Sequence, residues 1–335
     1  MKYKLTYLFL LLAGTLFACR NASEPPSQDI PFTADQQIEI FSDSSFIFTY
    51  PLSPLAIAIN PASHLYVSSD NGYIYRIDPE HQTILDSIGG IGQGPGEFYK
   101  APVILDVYRD SLLMAIEPPP TSAIHLFACY DSLRFIKKIN VLNAILDGVW
   151  WDASHVLISA IPFPGETGIQ KMDIHTEKVE KIPHPPVSNP FEGLYFLSTR
   201  KPRESLLVAY VQNRVLLLRN DRLYRYRLPE VPERAPMRNE TILFPGYGEV
   251  NLPEHGLFRG VASNLTAYFL LTARQEQPVQ RLLLLDSTMT LRSIQPLEEK
   301  WHSLGVQDSY IYALTIADSL GNRYIKRYTY HLTAK

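Results

Sequence analysis

Apolar residues along this chain occur in short runs that end at Pro, Gly, Asn and Asp-Ser positions. Tyr, Ile, Leu, Val and Phe dominate these runs, and nowhere do they keep a period of about 3.6 residues over a helical length. The 20 Tyr, 15 Phe and 26 Pro residues are typical of a chain built from strands and turns. The pattern therefore predicts an all-β protein.

The runs recur in groups of similar layout. A polar turn introduces one strand, as at 63–67 and 204–208; a second strand follows after a loop, as at 73–78 and 215–218. Six such groups, spaced about 40 to 60 residues apart, predict a six-bladed β-propeller of four-stranded antiparallel blades. A pair of two-sheet sandwiches is the alternative architecture.

The last group lacks a full fourth strand. It runs from about Trp301 to Leu332, whereas residues 37–48 have strand character and belong to no group. We expect this early segment to complete the last blade as a ring-closing strand, so that the propeller domain covers residues 37–335.

The first nineteen residues have the layout of an exported lipoprotein. Lys2 and Lys4 precede an apolar run over 5–16, and Leu16-Phe17-Ala18-Cys19 ends it. The run is shorter than the roughly 20 apolar residues of a membrane span, and it predicts a signal peptide over 1–18. Leu-x-Ala-Cys resembles the lipobox of bacterial lipoproteins, which implies lipidation of Cys19. A secretory signal with an incidental cysteine and an uncleaved anchor are the alternatives.

Residues 19–36 then form a polar, Pro-rich stretch that is typical of a flexible tether. Together with a lipid on Cys19, this segment predicts a domain attached to a membrane of the cell envelope. We expect the outer membrane, with the domain on its periplasmic or surface side.

Composition and charge exclude several classes. The chain is 46% hydrophobic and 19% charged, so it can bury a core and is not a disordered protein. Its net charge is −3, and it becomes −5 once Lys2 and Lys4 leave with the signal, which argues against a nucleic-acid partner. The cluster of Arg219, Arg222, Arg225 and Arg227 is interpreted as the solvated face of a hairpin, with an anion site as the alternative.

The cysteines exclude a disulfide framework. Cys19 and Cys129 are the two cysteines of the sequence, so a lipidated Cys19 leaves no intrachain disulfide. Cys129 lies in an apolar run and is expected to be a small buried hydrophobe. The core alone must then stabilise the domain.

A Gly-rich segment at 88–98 joins the first group to the second. It lacks the Gly-Lys-Ser/Thr ending of a phosphate-binding loop, and the pattern predicts no helix after it. The first interpretation is a tight turn with positive φ at several glycines. The second makes Gln93 and Glu97 ligand contacts.

Within this segment, Gly92-Gln93-Gly94-Pro95-Gly96-Glu97-Phe98 follows the first predicted blade of a chain with a lipobox. In this respect the chain resembles the six-bladed β-propeller lipoproteins of Bacteroidota. The heptapeptide is the specific part of the resemblance, which otherwise extends as a pattern over about residues 38–332. The resemblance implies an NHL-like propeller exported to the envelope, and it brings no catalytic residues with it.

No local motif for catalysis or metal binding occurs in the sequence. It has no Gly-x-Ser-x-Gly, no His pair at i, i+4 beside a glutamate and no Asp-x-Asp-x-Asp-Gly loop. We therefore expect no catalytic residue, no metal and no cofactor. Ligands from separate blades could still converge on the central channel of a propeller.

Four aromatic residues near strand starts or in loops are candidate ligand contacts, because flat rings suit carbohydrates and peptides. They are Trp150, Trp151, Tyr247 and Trp301. Capping of blade edges is the alternative role. Tyr247 belongs to a loop at 229–253 that is longer than a blade connection requires.

These features together predict a lipid-anchored binding module without catalytic activity, whose ligand is a glycan, a peptide or an envelope protein. One alternative is an envelope lyase or hydrolase with its site in the central channel. Another is a structural subunit of an outer-membrane assembly. The fold favours none of the three, because propellers host many functions.

The lipidation of Cys19 leads to a first prediction. Acyl chains hold a protein on a membrane through about 0.8 kcal/mol per buried CH₂ group. Cys19→Ala should therefore yield a folded protein that no longer sediments with membranes once they are washed at high salt, which leaves only acyl-anchored protein attached. Continued sedimentation of this variant would contradict the lipid anchor.

Overall fold

The computed structural model describes residues 27–33, 35–48, 53–118, 122–164, 166–182, 187, 189–229, 231–273, 279–316 and 323–334. Two strands come first, β1 (Gln28–Asp29) and β2 (Gln36–Phe48). Six four-stranded antiparallel blades follow, numbered here in chain order. The predicted all-β, six-bladed architecture is confirmed.

The strands of blades 1 to 5 run in sequence from the centre of the ring to its outer edge. Blade 1 has β3 (Pro54–Ile59), β4 (Leu65–Ser69), β5 (Tyr73–Asp78) and β6 (Thr83–Gly89). Blade 2 has β7 (Val103–Tyr108), β8 (Leu112–Glu117), β9 (Ala123–Ala128) and β10 (Arg134–Asn140). Blade 3 has β11 (Ile145–Trp150), β12 (His155–Ala160), β13 (Ile169–Asp173) and β14 (Val179–Lys181).

The second half of the ring has one insertion. Blade 4 has β15 (Tyr195–Lys201), β16 (Glu204–Ala209), β17 (Val215–Arg219) and β18 (Arg222–Arg227). A separate hairpin, β19 (Met237–Phe244) and β20 (Gly248–Pro253), precedes blade 5, which has β21 (Phe258–Ser263), β22 (Ala267–Thr272), β23 (Arg281–Asp286) and β24 (Leu291–Pro296). Blade 6 has β25 (Trp301–Gln307), β26 (Tyr310–Ile316) and β27 (Arg323–Ala334), with β2 as its outer strand.

The six innermost strands form a closed ring. Each of β3, β7, β11, β15, β21 and β25 contacts the next, and β25 contacts β3. This closure is incompatible with the pair of sandwiches that the sequence left as an alternative.

Both faces of the blades are buried, and this explains the continuous apolar runs of the middle strands. In β16, Leu206 and Val208 pack towards blade 5, whereas Leu207 and Ala209 pack towards blade 3. The described residues form six hydrophobic clusters, one at each interface between neighbouring blades. The core is therefore a ring of interfaces around the channel.

The N-terminal strand closes the ring as predicted. β2 pairs antiparallel with β27, with Gln37 opposite Thr333 and Ile40 opposite Tyr330. Ile38 is fully buried between blades 5 and 6. The first long strand, β2, and the last strand, β27, thus share one sheet.

Residues 28–48, called here the N-terminal belt, contact three successive blades. β1 pairs in parallel with β18 of blade 4, and Ile30 is buried between blades 4 and 5. Phe32 pairs with Leu291 of blade 5, and Arg292 forms an ion pair with Asp35 at 2.6 Å. Part of the stretch assigned to a tether therefore packs against the propeller, and burial of Ile30 alone contributes about 1.5–3 kcal/mol.

The two faces of the ring differ. Tight turns follow each inner strand on one face, called here the short-turn face, as at 109–111 and 202–203. The connections between blades lie on the opposite, long-loop face, among them 90–102 and the segment that carries the β19–β20 hairpin. A 3₁₀ turn occurs at Pro190–Gly193, and no helix in the described ranges is long and apolar enough to span a membrane.

Candidate binding site at the central cavity

The inner strands converge on a cavity of about 420 Å³ that opens where these strands end, on the short-turn face. This volume lies within the range of small-molecule sites, about 300–1,000 Å³. Side chains with amide or aliphatic hydroxyl groups line it from four blades: Asn60, Ser198, Thr199, Ser263, Asn264 and Gln307. The ring closure brings together residues that are far apart in the sequence.

Several of these side chains connect neighbouring blades. The hydroxyl oxygens of Ser198 and Ser263 lie 2.8 Å apart across the interface between blades 4 and 5. The Gln307 amide of blade 6 donates to the Ser63 hydroxyl of blade 1 at 2.8 Å and to the Pro61 carbonyl at 2.9 Å. These bonds therefore fix the side chains at the mouth of the cavity in the absence of a ligand.

Charged groups also line the cavity: Asp106, Arg109, Arg200, Lys201 and Asp308. Arg200 is nearly buried and forms an ion pair with Glu204, while its guanidinium also donates to the Leu265 carbonyl at 3.1 Å. Burial by itself would raise the pKa of Glu204, but the bonds to Arg200 and Arg219 lower it. Glu204 thus remains ionised and fixes two arginines at the edge of blade 4.

Two aspartates connect the inner strands of blades 2, 3 and 4. Asp106 accepts the N–H of Trp150, in the next blade, at 2.9 Å and that of Val107 at 2.8 Å. Asp147 accepts the N–H of Leu197, again in the next blade, at 2.8 Å and that of Gly148 at 2.8 Å. Both follow a β-bulge, which turns the carboxylate out of the sheet of its own blade.

These carboxyl groups titrate near neutrality. Burial in the ring raises the pKa of Asp106 to about 7, although its two backbone N–H donors act in the opposite direction. Burial raises the pKa of Asp147 to about 7 as well, with a further contribution from the charge of Asp106. A carboxyl group beside a cavity whose pKa is strongly shifted is a candidate for proton transfer to a ligand. A buried carboxyl group with a purely structural role can have the same shift in pKa.

The hydrogen bonds favour the structural role for both aspartates. Each carboxylate uses one oxygen for its own bulge and the other for the neighbouring blade. Within the described ranges, no three His, Cys, Asp or Glu side chains converge as a metal site would require. The expectation that the protein has no metal and no cofactor stays a prediction.

Sequence analysis missed Asp106 and Asp147, although a signal for them exists. Ile-Leu-Asp occurs at 84–86, 104–106 and 145–147, and the last two copies lie in the inner strands of successive blades. A charged residue at the same position of successive apolar strands indicates a repeated polar contact. Its partner could not be predicted, because it is a backbone N–H of another blade.

The three candidate tryptophans lie in the core. Trp150 and Trp151 are 1% exposed and pack at the two opposite faces of blade 3, while Trp301 is 2% exposed and packs on Tyr328 at a ring distance of 4.8 Å. Trp150 also contributes to the wall of the cavity. Their ring faces are covered by neighbouring blades, so the alternative of a packing role fits their positions.

The Gly-rich segment folds back on itself on the long-loop face. Gly89, Gly90 and Gly96 have φ values of +113°, +113° and +81°, which confirms the predicted need for glycine. The Glu97 carboxylate accepts the N–H of Gly94 at 2.7 Å, and a Cβ at position 92 would lie 2.1 Å from that carboxylate. Glu97 therefore stabilises the loop itself, whereas Gln93 is exposed.

The end of this loop is anchored in blade 2. Phe98 is fully buried and its ring lies 4.6 Å from that of His125, while the N–H of Tyr99 donates to Glu117 at 2.7 Å. Burial lowers the pKa of His125 to about 4, so the ring is neutral. Glu117 also binds Lys138 at 2.7 Å. The motif thus connects blades 1 and 2 through packing and a buried carboxylate.

Tyr247 lies in the turn of the β19–β20 hairpin, in the segment that sequence analysis left as a long loop. Its hydroxyl donates to the Pro162 carbonyl at 3.3 Å, and its ring packs edge-on against Phe244 at 6.0 Å. Beside this insertion, a second cavity of about 630 Å³ includes Arg234, His255 and Val279. The predicted contacts Gln93, Glu97 and Tyr247 therefore lie on the face opposite the mouth of the central cavity.

The structure describes one of the two cysteines. Cys129 is buried between blades 1 and 2, as expected for a small hydrophobe. Cys19 and the signal peptide lie outside the described residues, and lipidation remains a prediction.

The aspartate links lead to a prediction about pH. Because the pKa of Asp106 is about 7 in the folded chain and near 3.8 in the unfolded one, the folded state binds the extra proton between these values. This contribution to stability is complete below about pH 4 and is lost as the pH rises through 7. Asp106→Asn should therefore reduce the loss of unfolding free energy between pH 5 and pH 8 by about 2–3 kcal/mol, measured by urea titration.

A matched control for this experiment is Asp131→Asn, which removes an exposed carboxylate of the same blade. The control should keep the wild-type pH profile. If the profile of Asp106→Asn coincides with that of the wild type, the proposed titration of Asp106 is wrong.

Comparison with known proteins identifies the fold and nothing finer. No protein-family model and no curated protein matches this chain. Among solved structures, the WD40 repeats of RRP9 match with a TM-score of 0.54 and 10% identity over 90% of this chain and 99% of that one. U3-55K matches with a TM-score of 0.51 and 13% identity over 89% and 99%. The chain is thus a six-bladed β-propeller whose structural neighbours include WD40 proteins.

Proposed function

We propose that this protein is a lipid-anchored binding module of the cell envelope, without catalytic activity, whose ligand enters the central cavity. The lipobox at 16–19 supports the anchor, and the cavity supports binding. The resemblance of the heptapeptide at 92–98 to Bacteroidota propeller lipoproteins supports the same localisation.

The observation that carries the binding proposal is the set of hydrogen-bonding side chains around the cavity. Amide and hydroxyl groups from blades 1, 4, 5 and 6 surround a volume of about 420 Å³. Such groups can form hydrogen bonds with a ligand rich in hydroxyls and amides. Without a ligand, water can satisfy the same hydrogen-bonding groups. A glycan fits best, ahead of a peptide or a protein segment.

A second candidate is an envelope hydrolase or lyase. It is favoured by Asp106 and Asp147, because carboxyl groups with a pKa of about 7 can donate and accept protons at neutral pH. In an enzyme, Asp106→Asn would abolish turnover of a bound glycan. In a binding module, the wild type and the Asp106→Asn variant both bind the glycan, and neither converts it.

The cavity leads to a prediction about affinity. A glycan array should yield a ligand, and Ser198→Ala combined with Ser263→Ala should weaken its binding roughly 5- to 150-fold in calorimetry. Two lost hydrogen bonds of about 0.5–1.5 kcal/mol each produce this range. The double variant should remain folded, because the two hydroxyls that pair with each other are removed together.

Ser42→Ala combined with Ser87→Ala is the matched control, since both residues are exposed on outer strands. Gln93→Ala combined with Tyr247→Phe tests the opposite face. If this pair of substitutions abolishes binding while the cavity variant binds normally, the ligand site is on the long-loop face and the proposal for the cavity is wrong.

A further inference from the structure

Blade 4 differs from the rest of the chain in charge. Residues 195–228 contain eight basic and two acidic residues, a net charge of +6, whereas the whole chain has a net charge of −3. The remainder therefore carries −9. A strong concentration of one sign on a protein of the opposite sign indicates a surface for an anionic partner.

Four of these basic residues meet on two adjacent turns of the short-turn face. Lys201 and Arg203 lie at the β15–β16 turn, and Arg219 and Arg222 flank the β17–β18 turn. The N–H of Asn220 donates to the Arg203 carbonyl at 2.9 Å, which holds the two turns together. We call these four side chains the basic corner.

The charges of the basic corner reach solvent. The side chains of Lys201, Arg203 and Arg219 are 56%, 59% and 39% exposed, and Arg222 is exposed as well. Two carboxylates contact the corner: buried Glu204 lies by Lys201 and Arg219, and Asp152 lies 3.7 Å from Arg203. Asp221 pairs with Lys171 at 3.0 Å. The four basic side chains outnumber the two carboxylates they contact, so the corner keeps a positive charge.

The course of the N-terminal belt identifies the anionic partner. β1 is the outermost strand of the blade 4 sheet, with Gln28 opposite Tyr226 and Asp29 opposite Arg227. Because this pairing is parallel, the chain before Gln28 approaches from the side of Arg222, where β18 begins. Nine residues separate Cys19 from Gln28 in numbering, so Cys19 lies within about 30 Å of that strand.

We propose that the basic corner docks on an anionic lipid surface, so that the edge of blade 4 faces the membrane. This inference rests on the proposed lipid anchor at Cys19, which would hold the same edge close to the headgroups. Exposed Tyr224, between the basic corner and Gln28, adds an aromatic side chain of the kind that favours membrane interfaces. Lipid and basic side chains then act as the two signals that stable membrane attachment requires.

The test uses the Cys19→Ala chain, so that its result does not depend on acylation. This protein is sedimented with vesicles of phosphatidylcholine alone and of phosphatidylcholine with phosphatidylglycerol. We expect binding to the anionic vesicles only, and release at high salt because the exposed charges are screened. Arg203→Gln combined with Arg222→Gln should weaken binding about 25-fold, at about fivefold for each charge.

Arg134→Gln combined with Lys300→Gln is the matched control, because both residues are exposed and lie outside blade 4. It should bind the vesicles within twofold of the parent chain. Thermal unfolding verifies that both double variants are folded. If the variant with Arg203→Gln and Arg222→Gln is unfolded, Arg222→Gln alone is used in its place.

Three outcomes would overturn the proposal. They are equal binding to both kinds of vesicle or to neither, an equal loss in the control variant, and binding to a soluble polyanion such as heparin without binding to vesicles. Membrane fractionation of the acylated chain tests the anchor separately, so failure of the basic corner and failure of the anchor give different results.

Discussion

The pairing of β2 with β27 is the contact on which the rest of the structure depends. The first long strand of the chain becomes the outer strand of the last blade, with Gln37 opposite Thr333. Without it, blade 6 would present an unpaired edge and Ile38 would leave the core between blades 5 and 6. Closure also brings β25 against β3, and this contact completes the wall of the central cavity.

Closure also explains how the described part of the chain is stabilised although its one cysteine, Cys129, is free. Each blade buries both faces against its neighbours, so that six apolar clusters form a continuous ring among the described residues. The channel is then the place where backbone N–H groups of the inner strands lack a strand partner. Asp106 and Asp147 satisfy two of these groups from the neighbouring blade, at the cost of carboxyl groups that ionise only near pH 7.

The sequence predicts the fold well and the site poorly, for physical reasons. Strand groups are local patterns, so the six blades and the closing strand at 37–48 could be identified, as could the glycine turn at 89–96. Burial between blades is not local, and this is why Trp150, Trp151 and Trp301 looked like candidate contacts and lie in the core. Ile30 and Phe32 are isolated apolar residues in a polar stretch, so the packing of Ile30 against blades 4 and 5 gave no periodic signal. The rim of the cavity depends on residues such as Ser198 and Ser263, which become neighbours only through the ring.

Ring closure by the N-terminal strand is tested most directly by a cross-link between β2 and β27. Gln37→Cys with Thr333→Cys places two thiols directly opposite each other at exposed positions, in a background with Cys19→Ala. Gln37→Cys with Leu332→Cys shifts the pair by one residue, and the thiols then point to opposite faces of the sheet. The account predicts that mild oxidation links the first pair in the folded protein and raises its unfolding free energy by up to about 5 kcal/mol, because the disulfide closes a very long loop. Equal cross-linking of both pairs, or of neither, would contradict closure by this strand.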